Sequence, residues 1–160
     1  MLKKIGQEQG YTVDATESAK AFRAQNLKDY KVVVFLNTTG DVLDESQQLE
    51  FKRFIQAGGS YLGIHAAADT EFDWPWYGGL VGGYFKGHPS NPNVRDASID
   101  KTEHRHISTD HLDQRWDRTD EWYNYKTLNA DITPVLNLDE SSYEGAVSYT
   151  HLTLPTTPYV

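Results

Sequence analysis

Residues 31–64 read KVVVFLNTTGDVLDESQQLEFKRFIQAGGSYLGI, and their order of signals decides the fold. Residues 31–36 form an unbroken β-branched and aromatic run, expected of a strand buried on both faces of a parallel sheet. Asn37 to Gly40 turns the chain, and Asp44 is placed to cap a helix over residues 45–57. Leu49, Phe51, Phe54 and Ile55 mark that helix's apolar stripe, although their phase is imperfect. Gly58-Gly59 ends it, and a second short strand follows over residues 61–64. Strand, helix and strand in this order make a βαβ unit, and hence an α/β fold with a right-handed crossover.

Working outward, residues 1–9 read as the end of an amphipathic helix stopped by Gly10, and residues 11–15 alternate like a strand. A helical turn fits residues 18–22, and a short helix fits residues 77–84. Residues 94–101 alternate like a strand, as do residues 131–138, where Pro134 implies an edge or a bulge.

The bulk properties exclude several classes. With 15 basic against 23 acidic residues the 160-residue chain carries a formal charge of −8, so no basic surface awaits nucleic acid or a membrane. No apolar run is long enough to span a bilayer, and residues 1–10 lack the apolar core of a secretory signal. A soluble protein is expected, in the cytoplasm or the periplasm. No cysteine is present, which removes disulfides, thiolate metal sites and a thiol nucleophile.

The chemistry concentrates after the second strand. His65 stands where a strand turns into a helix, the place of the nucleophile in a Gly-x-Ser/Cys-x-Gly elbow, with Ala67 in place of the second glycine. Histidine is a base or a metal ligand far more often than a covalent nucleophile, and a structural role at the strand end is the alternative. Asp69 can cap the next helix or hold the His65 tautomer. Trp74, Trp76 and Tyr77 form either a stacking surface for sugar faces or a lid packed over the sheet. His88, His104, His106 and His111 add imidazoles, and a metal held by His65, His88 and His106 would need those three to converge. Glu121 beside Trp122 and Tyr123 is a candidate acid or base, or part of a solvated turn.

The motifs GIHAAADTEFDWPWYGGLVGGYF (63–85), VVFLNTTGDVLDESQQLEFKRFIQAGG (33–59) and RTDEWYNY (118–125), in this order, resemble the ThuA-like (trehalose utilisation) family over residues 3–145. That resemblance implies a flavodoxin-like parallel sheet flanked by helices, of the class I glutamine amidotransferase-like superfamily, and a role in the metabolism of trehalose-type sugars. It places His65 at the superfamily's nucleophile position, so glutamine amidotransferase chemistry is not expected. It marks His65, Asp69 and Glu121 for catalysis. Trp74, Trp76, Tyr77, His88, His106, Trp122 and Tyr123 are marked for contact with a small-molecule sugar. His106 matches the histidine of a further family motif, in which Ile107 here replaces the usual proline before Ser108-Thr109.

The expected activity is hydrolysis or proton abstraction on a disaccharide or 3-keto-sugar. The alternative is a non-catalytic carbohydrate-binding or scaffold domain. Family members begin with a further strand and continue past Gly145, so residues 1–146 are expected to be a domain truncated at both ends. Residues 147–160, whose VSYTHLTLPT resembles adapter read-through, are expected to be a non-native tail. Loss of the first strand would leave strand edges unpaired, and aggregation or an inactive fragment is the expected consequence.

Overall fold

The computed structural model describes residues 1–145, and the reading of residues 147–160 falls outside them. The first part contains α1 (Leu2–Glu8), α2 (Ala24–Leu27), β1 (Val32–Leu36), α3 (Glu45–Gln56) and β2 (Ser60–Ile64). It is followed by a 3-10 turn at His65–Asp69 and by α4 (Pro75–Val81). The second part is β-rich: β3 (Tyr84–Gly87), β4 (Val94–Lys101), β5 (Arg115–Glu121), β6 (Asn124–Lys126) and β7 (Leu136–Leu138).

The βαβ unit forms as read. β1 and β2 pair in parallel, with Val34 opposite Leu62 and Leu36 opposite Ile64. Asp44 caps α3 in a full capping box: its side chain accepts from the Gln47 N–H, and the Gln47 side chain accepts from the Asp44 N–H. α3 buries Phe51 and Ile55 against Phe35, and the rings of Phe35 and Phe51 stack at 5.5 Å. Leu43, Ala67, Tyr77, Leu80 and Tyr84 complete this core.

Among the described residues only one face of the parallel pair is covered. Val32, Val34, Leu36 and Leu62 are each about half exposed, at 47%, 39%, 53% and 42%. The expectation of burial on both faces is therefore corrected for residues 31–36: the continuous apolar run is present, but α3 lies on the Phe35 side alone. Residues 11–15 are corrected too, since they pair with no strand among the described residues. The short helix begins and ends earlier than its pattern suggested. Pro75 starts it at a position where a missing N–H costs nothing. Gly82 stops it at φ 91, leaving Tyr84 to begin a strand.

The second part is antiparallel. β4 lies between β5 and β7, and β3 pairs separately with β6. Its core holds Ala97, Ile99, Trp122, Val135, Leu136 and Leu138. Residues 94–101 form the expected strand, whereas only Leu136–Leu138 of the 131–138 reading does so, at the sheet edge that Pro134 implied. β5 was not foreseen, because RWDRTDE carries polar residues on both faces and hides its alternation. The architecture is a mixed α/β fold built on small sheets. No helix among the described residues is long and apolar enough to cross a membrane.

Candidate functional site

The site begins at the end of β2. His65 adopts φ 52, a left-handed backbone that a residue with a side chain takes up at a cost of about 1–3 kcal/mol. The turn is held by tight local packing. A Cβ on Gly63 would lie 2.6 Å from the Tyr61 hydroxyl and 3.1 Å from the Ala67 Cβ, so glycine is required for the turn to fold back on the strand. The Tyr77 hydroxyl donates to the Ala67 carbonyl at 2.7 Å and lies 2.7 Å from the Tyr61 hydroxyl. An elbow persists here with histidine at its apex.

Glu71 fixes the neighbouring loop, and sequence reading had not weighed it. Its side chain is 1% exposed, and one carboxylate oxygen accepts from the N–H groups of Val42 and Leu43, both at 2.8 Å. The other oxygen accepts from the Gln48 amide at 2.6 Å. A glutamate between Asp69 and Asp73, three residues before Trp74, was the available signal.

Across the gap from His65, β5 ends at Glu121. Glu121 Oε2 lies 3.2 Å from His65 Nε2, and its Oε1 lies 3.7 Å from His88 Nε2. The Tyr123 hydroxyl is 3.1 Å from His65 Nε2, and its ring lies 4.5 Å from the imidazole, centroid to centroid. Phe85 packs on Tyr123 at 4.3 Å and on His88 at 5.9 Å, closing the apolar side of the cluster. Sequence reading missed Phe85, since nothing distinguished it from the surrounding aromatics.

Hydrogen-bond accounting assigns the ring nitrogens. His65 Nε2 faces a carboxylate oxygen and a phenol oxygen, so the proton belongs on Nε2 and the lone pair on Nδ1. Nδ1 of His65 makes no hydrogen bond among the described residues, and the side chain is 38% exposed. His88 Nδ1 donates to the Pro89 carbonyl at 2.9 Å. Burial, then the charges of Glu121 and Asp69, push the Tyr123 hydroxyl up to about 12, so it stays protonated at neutral pH and can donate.

The structure thus brings together His65, His88, Glu121 and Tyr123. Asp69 adds its charge nearby but makes no hydrogen bond to His65, and it does not cap α4, which begins after Trp74. Tyr77 and Trp122, expected as sugar contacts, lie within the packed framework. Tyr77 is fully buried at 0%, and Trp122, at 2%, donates its indole N–H to the Arg95 carbonyl. Trp74 and Trp76 pack against Phe51 of α3, with Lys52 over the Trp76 ring, so their known contacts are those of a lid.

His106 takes no part in this cluster. Its Nδ1 lies 2.7 Å from the Ser108 hydroxyl, and it lines a separate open concavity of about 610 Å³ with Lys101, His104, Arg105 and Gln114. Glu103 and Asp110 also line that hollow, and none of its lining residues has a positive φ. Among the described residues no group of three or more histidine or acidic side chains is arranged to hold a metal ion. The His65, His88 and His106 set does not fit one, because His106 is engaged with Ser108 elsewhere.

A family model described as "ThuA: Trehalose utilisation" matches residues 1–159. The chain belongs to the ThuA family. Two crystal structures of proteins described as ThuA-like share its fold. The one from Bacteroides uniformis is 24% identical with a TM-score of 0.76, covering 96% of this chain and 65% of that one. The one from Parabacteroides merdae is 19% identical with a TM-score of 0.64, covering 86% of this chain and 61% of that one. The chain therefore spans less than two thirds of the length of either structure. No curated protein matches it. Membership in ThuA carries a context of trehalose utilisation.

Proposed function

We propose that this ThuA domain acts on a disaccharide or 3-keto-sugar of the trehalose type, with His65 as general base and Glu121 as its orienting carboxylate. The observation that carries this reading is the strained His65, φ 52, whose Nε2 lies 3.2 Å from Glu121 Oε2. Strain maintained at a site between a carboxylate and an open solvent edge is typical of catalytic positions.

In this reading β1 and β2 belong to a flavodoxin-like sheet, in which ligands meet the carboxyl ends of the strands, where His65 stands. His65 Nδ1 takes a proton, either from a carbon next to a ketone or from the water that attacks a glycosidic carbon. The resulting imidazolium is held by Glu121, as an oriented carboxylate holds the histidine of a catalytic triad. Tyr123 supplies a neutral donor and, with Phe85, an apolar wall for a sugar face. Acyl transfer through a covalent enzyme intermediate is not part of the reading, because neither cysteine nor serine stands at the elbow.

His65→Ala tests it. Turnover of 3-keto-trehalose should fall by about 10²–10⁴, the usual contribution of a general base. An unchanged rate would sink the catalytic role. The missing superfamily nucleophile favours a second reading, a non-catalytic sugar-binding domain. Calorimetric sugar binding by the wild type, with no turnover of any keto-disaccharide, would support that reading over the first.

A further inference from the structure

We propose that Asn93 is a positioning residue, which selects the carboxylate oxygen of Glu121 that faces His65. The inference rests on the His65–Glu121 pair of the proposed function. Asn93 directly precedes β4, and the β4–β5 register sets Val94 opposite Glu121. The Asn93 amide donates to Glu121 Oε1 at 2.6 Å, short for an N–H donor and consistent with a charged acceptor. Oε1 is thereby occupied, and Oε2 is left toward His65 Nε2 at 3.2 Å.

The loop that presents Asn93 is itself clamped. Arg95 folds back so that its Nε donates to the Pro92 carbonyl at 3.0 Å and its Nη2 to the Ser90 carbonyl at 3.2 Å. The Arg95 carbonyl accepts in turn from the indole of Trp122, the residue after Glu121. The two strand ends carrying Asn93 and Glu121 are therefore tied to each other on both sides of the pair. Without the Asn93 amide, Oε1 loses its donor and the Glu121 carboxylate is free to rotate away from His65. His65 Nε2 would then lose the acceptor that fixes its proton, and Nδ1 would no longer be held as the basic atom.

Asn93 is exposed, so substitutions there should leave the core intact. The test is nitrogen NMR of the full chain labelled with ¹⁵N-histidine, the His65 signals being assigned through His65→Gln. At a pH where the ring is neutral, wild-type His65 should be overwhelmingly the Nε2–H tautomer. Asn93→Ala should lower the tautomer ratio by about tenfold, the usual value of a hydrogen bond to a charged group. Asn93→Asp, which sets a second carboxylate against Glu121, should lower it at least as much. Asn93→Gln, which retains the amide, should recover part of it. Thermal midpoints of all three variants should stay within a few degrees of the wild type.

A wild-type Nδ1–H tautomer, or a ratio that neither Asn93→Ala nor Asn93→Asp alters, would overturn the inference. The outcome is independent of whether the site is catalytic. If His65→Ala leaves turnover unchanged while Asn93→Ala shifts the tautomer, the functional reading fails and the positioning role stands.

Discussion

The Tyr123 hydroxyl lies 3.1 Å from His65 Nε2 while its ring lies 4.5 Å from the same imidazole, centroid to centroid, so one side chain both packs against His65 and bonds to it. Burial first, and the Glu121 charge second, push the Tyr123 hydroxyl up to about 12. Tyr123→Phe keeps the packing and removes the donor. It should leave the thermal midpoint within a few degrees and lower kcat on a 3-keto-disaccharide by about tenfold, with a smaller change in KM. A loss confined to KM would show that Tyr123 only binds.

The buried phenols make alkaline stability a separate test. Burial raises Tyr61, Tyr77 and Tyr125 above the ordinary value of 10.0, Tyr125 to about 12, as it does Tyr123. A phenol raised on folding stabilises the native state fully below its unfolded pKa and loses that contribution as pH climbs toward the folded value. Chemical denaturation followed from pH 9 to 12 should therefore show a midpoint that is steady at first and falls above about pH 10. A midpoint that stays level to pH 12 would contradict the burial of these hydroxyls.

Glu71 gives the largest expected stability effect of any single polar side chain near the site. Glu71→Ala leaves the N–H groups of Val42 and Leu43 and the Gln48 amide without their acceptor. The expected cost is about 3 kcal/mol, since one buried and two partly buried donors lose their acceptor together. Urea denaturation with an unchanged m-value measures it. A loss below about 1 kcal/mol would mean that water replaces the carboxylate.

Asp139 supplies a check on the second, β-rich part. Its carboxyl is held down to about 2, first by the Ser141 hydroxyl and then by Arg115. A carboxylate depressed on folding contributes stability above its unfolded pKa and loses it as pH falls through the folded value. The Asp139 contribution should thus fade between about pH 4 and 2. Arg115→Ala should raise the Asp139 midpoint, read by carbon NMR of its carboxyl, toward the ordinary range; an unmoved midpoint would remove Arg115 from the explanation.

The βαβ unit was legible because its determinants are local. The run ending in Phe35-Leu36, the Asp44 cap and the Gly58-Gly59 stop each act within a few residues, and all three appear as read. His65 was legible as an elbow for the same reason. The partners of His65 were not, because they depend on register between distant segments. Asn93 meets Glu121 only through the pairing of β4 with β5, and β5 is polar on both faces. Trp122 is rich in apolar area, and burial in the second core outweighed any exposed role beside Glu121. His106 was expected as a sugar contact but lies in the hollow between residues 101 and 114.

The account's central claim is that His65 and Glu121 act as one unit, and a double-mutant cycle tests it most directly. Turnover of 3-keto-trehalose would be measured for the wild type, His65→Ala, Glu121→Gln and the double variant. Groups that act together give losses that do not add. The account predicts that the double variant is about as slow as His65→Ala alone, since Glu121 acts only through the imidazole. Losses that multiply would contradict it, because they would show Glu121 working independently of His65.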